Sequence, residues 1–406
     1  MKILVISDTH GRDENFDRVL EIEEKPDMLI HLGDIEGSER YIESAAGCRC
    51  EMIAGNNDYF SDLPMEKEIY VGNHKIIMTH GIKVNAPLLA SYVNGNYNVE
   101  IYEDGTKIRF ADVDHFKPEF PENIDVCITK KCDGGCPYCY EGCTPTGSHG
   151  LLLDGDGELD MWLQTLKPGT ELALNGNDLT HPDLERALEL LREKGIITNM
   201  TVNQIHFASN AVKLRLWQKK GLIHGLGISL VNSESDLFYE MLKLFDNVVI
   251  HTIAGILTVE DLINLQSAKP KVLILGYKNI GRGRQYSLNN ANEIMHNIKE
   301  LKENLPMFIK RGYFSNISFD NLAIIQLDVK ELLFKDNEEE WSRFYMGDDG
   351  GFTMYIDAVN YKYAKNSCMS EDERFDMNGK TVQEMFKHIQ DLYGKVPESS
   401  SDESKS

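Results

Sequence analysis

Apolar segments of strand length alternate with segments of helical periodicity from residue 124 onwards, and this alternation limits the possible folds more than any other feature. Leu184, Leu188 and Leu191 recur at helical spacing, and Gly195 follows at a position typical of a helix end. Repeated strand–helix units build parallel sheets, open or curled into most of a barrel, with active sites at the carboxyl ends of the strands. Six strands are predicted: Ile124–Thr129, Glu171–Asn175, Met200–His206, Leu226–Val231, Val248–Thr252 and Val272–Gly276.

The loop after the first of these strands is rich in cysteine. Cys132, Cys136 and Cys139 are separated by three and then two residues, and Gly134 and Gly135 let the backbone between them curl tightly. Three thiolates at this spacing can bind three irons of a cubane iron–sulfur cluster, which leaves the fourth iron open to a small chelating molecule.

Zinc is the alternative metal for this loop. Four of the eight cysteines lie between Cys132 and Cys143, and no secretory signal is recognised at the N-terminus, so metal ligands are expected rather than disulfides. A zinc ion would require a fourth ligand, which Cys143 or His149 can supply. Cys143 and Cys368 are also candidates for a catalytic thiol or an auxiliary ligand.

The cysteine loop, set directly after the first strand of a strand–helix array, resembles that of the radical S-adenosylmethionine enzymes over about residues 120–330. The resemblance implies a partial (β/α)6 barrel of TIM type, a [4Fe–4S] cluster at the three cysteines, and S-adenosylmethionine on the open iron. In that family an electron from the cluster cleaves S-adenosylmethionine to a 5′-deoxyadenosyl radical that abstracts hydrogen. The residues that would contact S-adenosylmethionine are Tyr138, Asn175, Gly176, Asn177, Asn203, Ser229 and Gly276.

Two stretches of this region carry further candidate ligand contacts. Residues 174–178 replace the Gly-Gly-Glu pattern of the family, so Asn177 or Asp178 is the candidate partner of the methionyl amino group. Arg282 and Arg284 follow the sixth strand, where arginines can bind a carboxylate, although solvated loop arginines are the expectation.

A second set of polar residues closes predicted strands in the first eighty residues. Asp, His and Asn side chains at the ends of adjacent strands suit a binuclear site for manganese, iron or zinc. Their order resembles the calcineurin-like metallophosphoesterases, in particular the small bacterial phosphodiesterases. The resemblance implies that one metal is bound by Asp8, His10 and Asp34, and the other by Asp34, Asn56 and His80.

The match to a phosphoesterase then ends. That family completes its site with a Gly-His-x-His loop, and no His-x-His occurs in this sequence. Residues 1–83 are therefore predicted to form an incomplete, truncated α/β metallophosphoesterase-like module, which hydrolyses phosphodiesters weakly or not at all.

The predicted domain organisation places this module before the strand–helix array. A hairpin is predicted between them from Tyr97–Tyr102 and Lys107–Phe110, which flank the turn pair Asp104-Gly105. The full division is 1–83 module, 84–120 linker and hairpin, 121–333 partial barrel, 334–394 C-terminal appendage and 395–406 disordered acidic, serine-rich tail.

Composition excludes some classes of partner and location. The net charge of −23 disfavours nonspecific binding of nucleic acid, and no apolar run is long enough to span a membrane, so a cytoplasmic protein is expected. The leading hypothesis is a radical enzyme acting on an unidentified small molecule or peptide, with a flavodoxin- or ferredoxin-type electron donor. The alternatives are a metal-dependent phosphoesterase with a regulatory or structural cysteine region, and a non-enzymatic zinc-stabilised binding module.

Overall fold

The computed structural model describes residues 1–393 apart from numbers 24, 56, 57, 59, 60, 73, 81–85, 112, 114, 176–178, 336, 346 and 348. The chain divides into two compact units, Met1–Pro87 and Leu88–Ser406. The boundary therefore lies a few residues beyond position 83, where the sequence predicts the end of the first module.

The first unit contains two sheets and two helices. Its elements are β1 (Ile3–Ile6), α1 (Glu14–Glu23), β2 (Met28–His31), α2 (Glu39–Ala46), β3 (Arg49–Met52), β4 (Glu66–Val71) and β5 (His74–Thr79). Strands β1, β2 and β3 are parallel neighbours, and β4 and β5 form an antiparallel hairpin. Successive residues of β2 belong to different hydrophobic cores. Leu29 packs with both helices, whereas Met28 and Ile30 pack with the hairpin.

The second unit begins with a three-stranded antiparallel sheet of β6 (Leu88–Asn94), β7 (Tyr97–Tyr102) and β8 (Lys107–Phe110). This small sheet covers the amino-terminal ends of the strands that follow. Lys107 pairs with Glu171, and Lys271 Nζ donates to the Asp104 carbonyl at 2.9 Å. Buried Glu122 accepts hydrogen bonds from Arg109 at 2.7 and 2.8 Å.

A ten-stranded sheet forms the centre of the second unit. Its strands are β9 (Asn123–Cys127), β10 (Glu171–Asn175), β11 (Ile197–Asn203), β12 (Leu226–Ser229), β13 (Val248–Ile253), β14 (Lys271–Leu275), β15 (Asn316–Phe319), β16 (Thr353–Asp357), β17 (Lys362–Ala364) and β18 (Phe375–Asp376). Their order is β15-β14-β13-β12-β11-β10-β9-β16-β17-β18, and only β17 and β18 run antiparallel to their neighbours. The fold is mixed α/β; within the described residues β15 and β18 are the terminal strands, so strand pairing does not close a barrel.

Helices connect these strands and cover them. They are α3 (Met161–Gln164), α4 (Leu184–Glu193), α5 (Gln204–Lys219), α6 (Asp236–Leu242), α7 (Val259–Leu265), α8 (Arg282–Lys310), α9 (Asn321–Leu327), α10 (Val329–Leu333), α11 (Glu338–Phe344) and α12 (Val382–Tyr393), with 3-10 turns at Gln266–Ala268 and Glu371–Glu373. No helix of the described chain is both long and apolar enough to cross a membrane.

The C-terminal segment belongs to the sheet rather than to a separate appendage. Strand β16 pairs in parallel with β9, and Met385, Phe386 and Ile389 of α12 share one hydrophobic core with Ile124. The sequence treats residues 334–394 as a separate appendage, and the structure corrects this division. Short strands far apart along the chain give no local sign of the neighbour that they join.

Candidate functional site

A cavity of about 720 Å³ lies on one face of the parallel strands. Mainly alternate residues of β10 to β14 line it, as the two-residue period of a strand requires. Many of the intervening residues belong to the hydrophobic core that the strands share with the helices. Ile101 and Gly105 of the small antiparallel sheet line one end, and the cysteine loop lines the other. The cavity therefore extends along the strands up to the loop.

Hydrogen-bond donors surround the thiols of this loop. The Gly134 N–H donates to Cys132 Sγ at 3.3 Å, and Asn203 Nδ2 donates to Cys136 Sγ at 3.6 Å. Burial raises the pKa of Cys132 and Cys136, whereas a hydrogen bond from Cys143 lowers the pKa of Cys139 despite its burial. Donors of this kind stabilise negative charge on sulfur, and the loop suits metal-binding thiolates.

Arg282 contacts the loop, in contrast to the solvated position expected from the sequence. Its Nε donates to the Cys136 carbonyl at 3.0 Å, and its Nη1 donates to the Cys143 carbonyl. The backbone N–H of Arg282 donates to the Cys139 carbonyl at 3.0 Å. Arg284, two residues on, is exposed.

The aromatic residue after the third cysteine links the loop to the cavity wall. Asn175 Nδ2 donates to the Tyr140 hydroxyl at 2.7 Å, and the ammonium of Lys278 lies 3.9 Å from the centre of the Tyr140 ring. Lys278 Nζ also donates to Ser367 Oγ at 2.7 Å. Asn175 also lines the cavity, and its contact with S-adenosylmethionine stays a prediction.

Buried charges brace the loop from the side of β16. Lys130 Nζ lies 2.9 Å from Glu141 and 3.5 Å from Asp357, and Arg374 pairs with Asp357 at 2.8 Å. The Tyr355 hydroxyl donates to Glu141 at 2.7 Å. Because Asp357, Arg374 and Tyr355 all follow residue 350, the C-terminal segment fixes the base of the cysteine loop.

The remaining predicted contacts of S-adenosylmethionine have different surroundings. Gly176 and Asn177, together with Asp178, lie outside the described residues. Asn203 uses both polar groups within the protein, since its Oδ1 caps α5 by accepting from Ile205 N at 2.9 Å. Tyr138 and Ser229 line the cavity.

Gly276 also lines the cavity, but neighbouring residues explain its lack of a side chain. A Cβ at this position would collide with Leu322, and the Gly276 N–H donates to Asp320 Oδ1 at 2.8 Å. The close approach of adenine that the sequence assigns to this glycine stays a prediction, and the structure adds a close approach of α9.

His251 of β13 is a cavity residue that the sequence analysis did not select. The Cβ of any larger residue at Gly227 would lie 2.5 Å from the His251 ring, so the glycine makes room for the imidazole. Within the described chain the imidazole has no hydrogen-bond partner, and burial lowers its pKa to about 4. An alternating strand pattern could have shown that His251 faces the same side as Ser229, its register partner on β12.

His206 is a second residue that the sequence analysis missed. Its Nε2 lies 2.7 Å from Asp133 Oδ1, and ligand atoms of Cys132, Asp133 and His206 lie within 4.8 Å of one another. His206 stands on the first turn of α5, and its place beside the loop depends on the strand that precedes this helix.

The other candidate ligands of the loop have defined neighbours. Cys143 Sγ lies 3.8 Å from the Thr129 carbonyl oxygen, and His149 Nδ1 lies 3.0 Å from Thr129 Oγ1. The His149 ring also packs on His181, with ring centres 4.7 Å apart. Cys368 lines the cavity, and burial raises its pKa.

In the first unit, the predicted metal ligands come together at the ends of β1, β2 and β5. Ligand atoms of Asp8, Asp34 and His80 lie within 4.8 Å of one another. His10 Nε2 lies 3.9 Å from both Asp8 and Asp34, and His80 Nε2 lies 3.6 Å from Asp34. Asn56 lies outside the described residues.

Acceptors behind both histidines orient them for metal binding. His10 Nδ1 lies 2.8 Å from Glu36, and His80 Nδ1 lies 2.7 Å from the Leu32 carbonyl, so each ring turns its Nε2 towards Asp34. Asp8, His10 and Asp34 also adopt positive φ, a conformation that non-glycine residues rarely take and that occurs at functional sites. Oxygen and imidazole donors in this arrangement fit manganese, iron or zinc.

Comparison with known proteins agrees with the site of the first unit. Residues 1–103 match the calcineurin-like phosphoesterase superfamily domain. The N-terminal part of the chain is thus a metallophosphoesterase-like domain. Over 84 residues the chain is 34% identical to the probable metallophosphoesterase YsnB of Bacillus subtilis (strain 168), a match that covers 20% of this chain and 47% of YsnB. The chain therefore spans about half the length of this relative.

Two solved structures that are similar to this chain contain bound S-adenosylmethionine. SuiB of Streptococcus suis, bound to S-adenosylmethionine, has a TM-score of 0.47 and 12% identity, covering 73% of this chain and 88% of SuiB. The protein anSMEcpe, with bound AdoMet and a Cp18Cys peptide, has a TM-score of 0.41 and 11% identity, covering 66% and 80%. At these scores neither neighbour by itself defines the function of the second unit.

Proposed function

We propose that the second unit is a radical S-adenosylmethionine enzyme. Cys132, Cys136 and Cys139 would bind three irons of a [4Fe–4S] cluster, and S-adenosylmethionine would occupy the adjoining cavity. The observation that carries this proposal is the loop itself. It follows β9 and lines the end of the cavity at which the parallel strands have their carboxyl ends. When bound, such a cluster supplies the electron that cleaves S-adenosylmethionine to a 5′-deoxyadenosyl radical.

The number of ligands on the loop favours a cluster over zinc. Zinc in a structural site requires a fourth protein ligand beside the three loop thiolates. His149, one candidate for that ligand, is hydrogen bonded to Thr129. A cubane cluster needs only the three thiolates when a small molecule chelates its fourth iron.

The cavity supports a substrate that is enclosed beside the loop. Its volume suits a small molecule or one side chain of a peptide. A site that excludes water once its substrate is bound would protect a reactive radical from side reactions. An external reductant of the flavodoxin or ferredoxin type would supply the electron, in a cytoplasmic setting.

Anaerobic purification and cluster reconstitution test the proposal. The full chain is expected to bind about four irons and, with dithionite, to form 5′-deoxyadenosine from S-adenosylmethionine. Single Cys132→Ala, Cys136→Ala and Cys139→Ala variants should lose the cluster, whereas the matched Cys143→Ala variant should keep it. Stoichiometric zinc without iron, or full iron in all three variants, would show that the proposal is wrong.

A metal-dependent phosphoesterase in the first unit is the second candidate. Ligand atoms of Asp8, Asp34 and His80 lie within 4.8 Å of one another, which supports metal binding. Hydrogen bonds at Nδ1 orient His10 and His80 so that Nε2 of each is available to a metal. Two metals must be held rigidly to activate water, and this sequence lacks the His-x-His segment that completes the site in the family. We therefore propose that the unit binds metal and turns over phosphodiesters slowly.

Metal content and hydrolysis test this second candidate separately. Manganese, iron or zinc should bind to the full chain, and Asp34→Asn should abolish binding, while Asp62→Asn, at an exposed position of the same unit, should not. Hydrolysis of bis(p-nitrophenyl) phosphate at rates normal for a phosphodiesterase, lost in Asp34→Asn, would show that the missing segment is not required.

A further inference from the structure

The cysteine loop has little regular structure of its own. Residues 132–143 belong to no helix or strand, and their internal bonds are turns such as Cys139 N to Cys136 O at 3.3 Å and Gly142 N to Cys139 O at 3.2 Å. The same two carbonyls accept bonds from Arg282, the first residue of α8. A loop of this kind needs partners on rigid elements to keep one shape.

Two glycines allow Arg282 to approach the loop so closely. Gly281 has φ of +55°, and a Cβ there would collide with the Tyr140 carbonyl and lie 2.9 Å from the Cys139 oxygen. At Gly283 a Cβ would collide with the Lys278 carbonyl and lie 3.4 Å from the Tyr138 oxygen. The Gly281-Arg282-Gly283 segment therefore fits directly against the backbone that carries Cys136 and Cys139.

The guanidinium of Arg282 bonds to two carbonyls of the loop that are seven residues apart in sequence. It donates to the carbonyl of Cys136 and to that of Cys143, at the two ends of the turn that contains Cys139. A planar guanidinium can make both bonds at once and fixes their directions. A lysine ammonium carries the same charge but does not fix the directions of its hydrogen bonds. The positive charge of Arg282 also lies beside the loop, with Nε 3.0 Å from the Cys136 carbonyl, where it favours negative charge on a cluster bound there.

We propose that Arg282 is a positioning residue for the iron–sulfur cluster: it holds the cysteine loop in its metal-binding shape before the metal arrives, and its charge favours the reduced cluster. This inference rests on the proposed function of the second unit. It assigns a role to the chain's own arginine, at a site that the sequence placed in solvent.

Iron release tests the positioning role. Wild type, Arg282→Gln and Arg284→Gln are reconstituted, and iron loss to the chelator bathophenanthroline is followed without oxygen. Replacing a residue that supports metal ligands costs about 10–100-fold in metal affinity, so Arg282→Gln should lose iron at least about tenfold faster than wild type. Arg284→Gln is the matched control and should behave as wild type. Equal release rates for Arg282→Gln and wild type would overturn the inference.

Arg282→Lys separates charge from geometry. Redox titration followed by electron paramagnetic resonance should give a midpoint potential close to wild type for Arg282→Lys and a more negative one for Arg282→Gln, because the reduced cluster carries one more negative charge. Iron loss should nevertheless be faster in Arg282→Lys than in wild type. Unchanged potentials in both variants would remove the electrostatic part of the inference.

Hydrogen exchange in the cluster-free protein makes the test independent of the metal. Peptides covering residues 132–143 should exchange at least about tenfold faster in Arg282→Gln than in Arg284→Gln, since the loop loses its bonds to α8. If wild type binds no iron but residues 132–143 exchange faster in Arg282→Gln, the proposed function is wrong, whereas the role of Arg282 in holding the loop is supported. If wild type binds iron and the exchange rates match, Arg282 does not position the loop.

Discussion

Replacing His251 should remove a defined part of the pH dependence of the second unit's stability. The imidazole lies among the parallel strands and lines the cavity. Burial lowers its pKa from the ordinary 6.5 to about 4, so the folded protein resists its protonation. The unfolded chain takes up the proton near pH 6.5, and stability is therefore lost as the pH falls from about 6.5 to about 4.

The size of the effect follows from the two pKa values. Each unit of difference corresponds to about 1.4 kcal/mol, so the full loss below pH 4 is about 3 kcal/mol. Between pH 7.5 and pH 5 the same linkage gives about 2 kcal/mol. In His251→Gln, which cannot titrate, the loss of stability over this interval should be smaller by that amount.

Urea unfolding followed by tryptophan fluorescence measures this difference on the full chain. The three tryptophans, Trp162, Trp217 and Trp341, all lie in the second unit, so the signal reports on that unit alone. His296→Gln, at an exposed position of α8, is the matched control and should follow wild type. A pH dependence of His251→Gln that equals wild type within about 0.5 kcal/mol would show that His251 does not stay neutral in the fold.

Three further predictions concern the framework of the second unit. Gly281→Ala should destabilise the cysteine loop, because its Cβ would collide with the Tyr140 carbonyl, and faster hydrogen exchange of residues 132–143 would show this. Glu122→Gln should cost about 3 kcal/mol in the same urea assay, since it leaves Arg109 and Lys107 without their buried carboxylate partner; a cost below about 1 kcal/mol would contradict it. A chain beginning at Leu88 should fold and bind its cluster, and aggregation without iron would contradict the division into two units.

Local sequence signals predicted local structure well. The hairpin strands Tyr97–Tyr102 and Lys107–Phe110 occur with the predicted bounds, because Asp104-Gly105 supplies a turn and Gly105 adopts φ of +89°. The parallel array also follows its predicted strands, with ends that differ by a few residues.

Contacts between distant segments could not be predicted in this way. The sequence predicts a solvated Arg282, because nothing near it in sequence shows that the cysteine loop lies against α8. Asn175 and Gly276 line the cavity, but nothing near them in sequence shows that Tyr140 and Leu322 lie against them. A strand-end polar residue or glycine indicates a special position, but its partner depends on tertiary structure.

The pairing of β16 with β9 has a consequence for biosynthesis. Strand β9 leads into the cysteine loop, and one of its two neighbours is made roughly 230 residues later, so this pairing is among the most non-local in the chain. During translation β9 can pair only with β10, and the loop lacks its contacts with the C-terminal segment, until β16, Asp357 and Arg374 have left the ribosome. For the cluster proposed at this loop, metal insertion would follow completion of the chain, because truncated translation products would carry the cysteines without the residues that hold their loop.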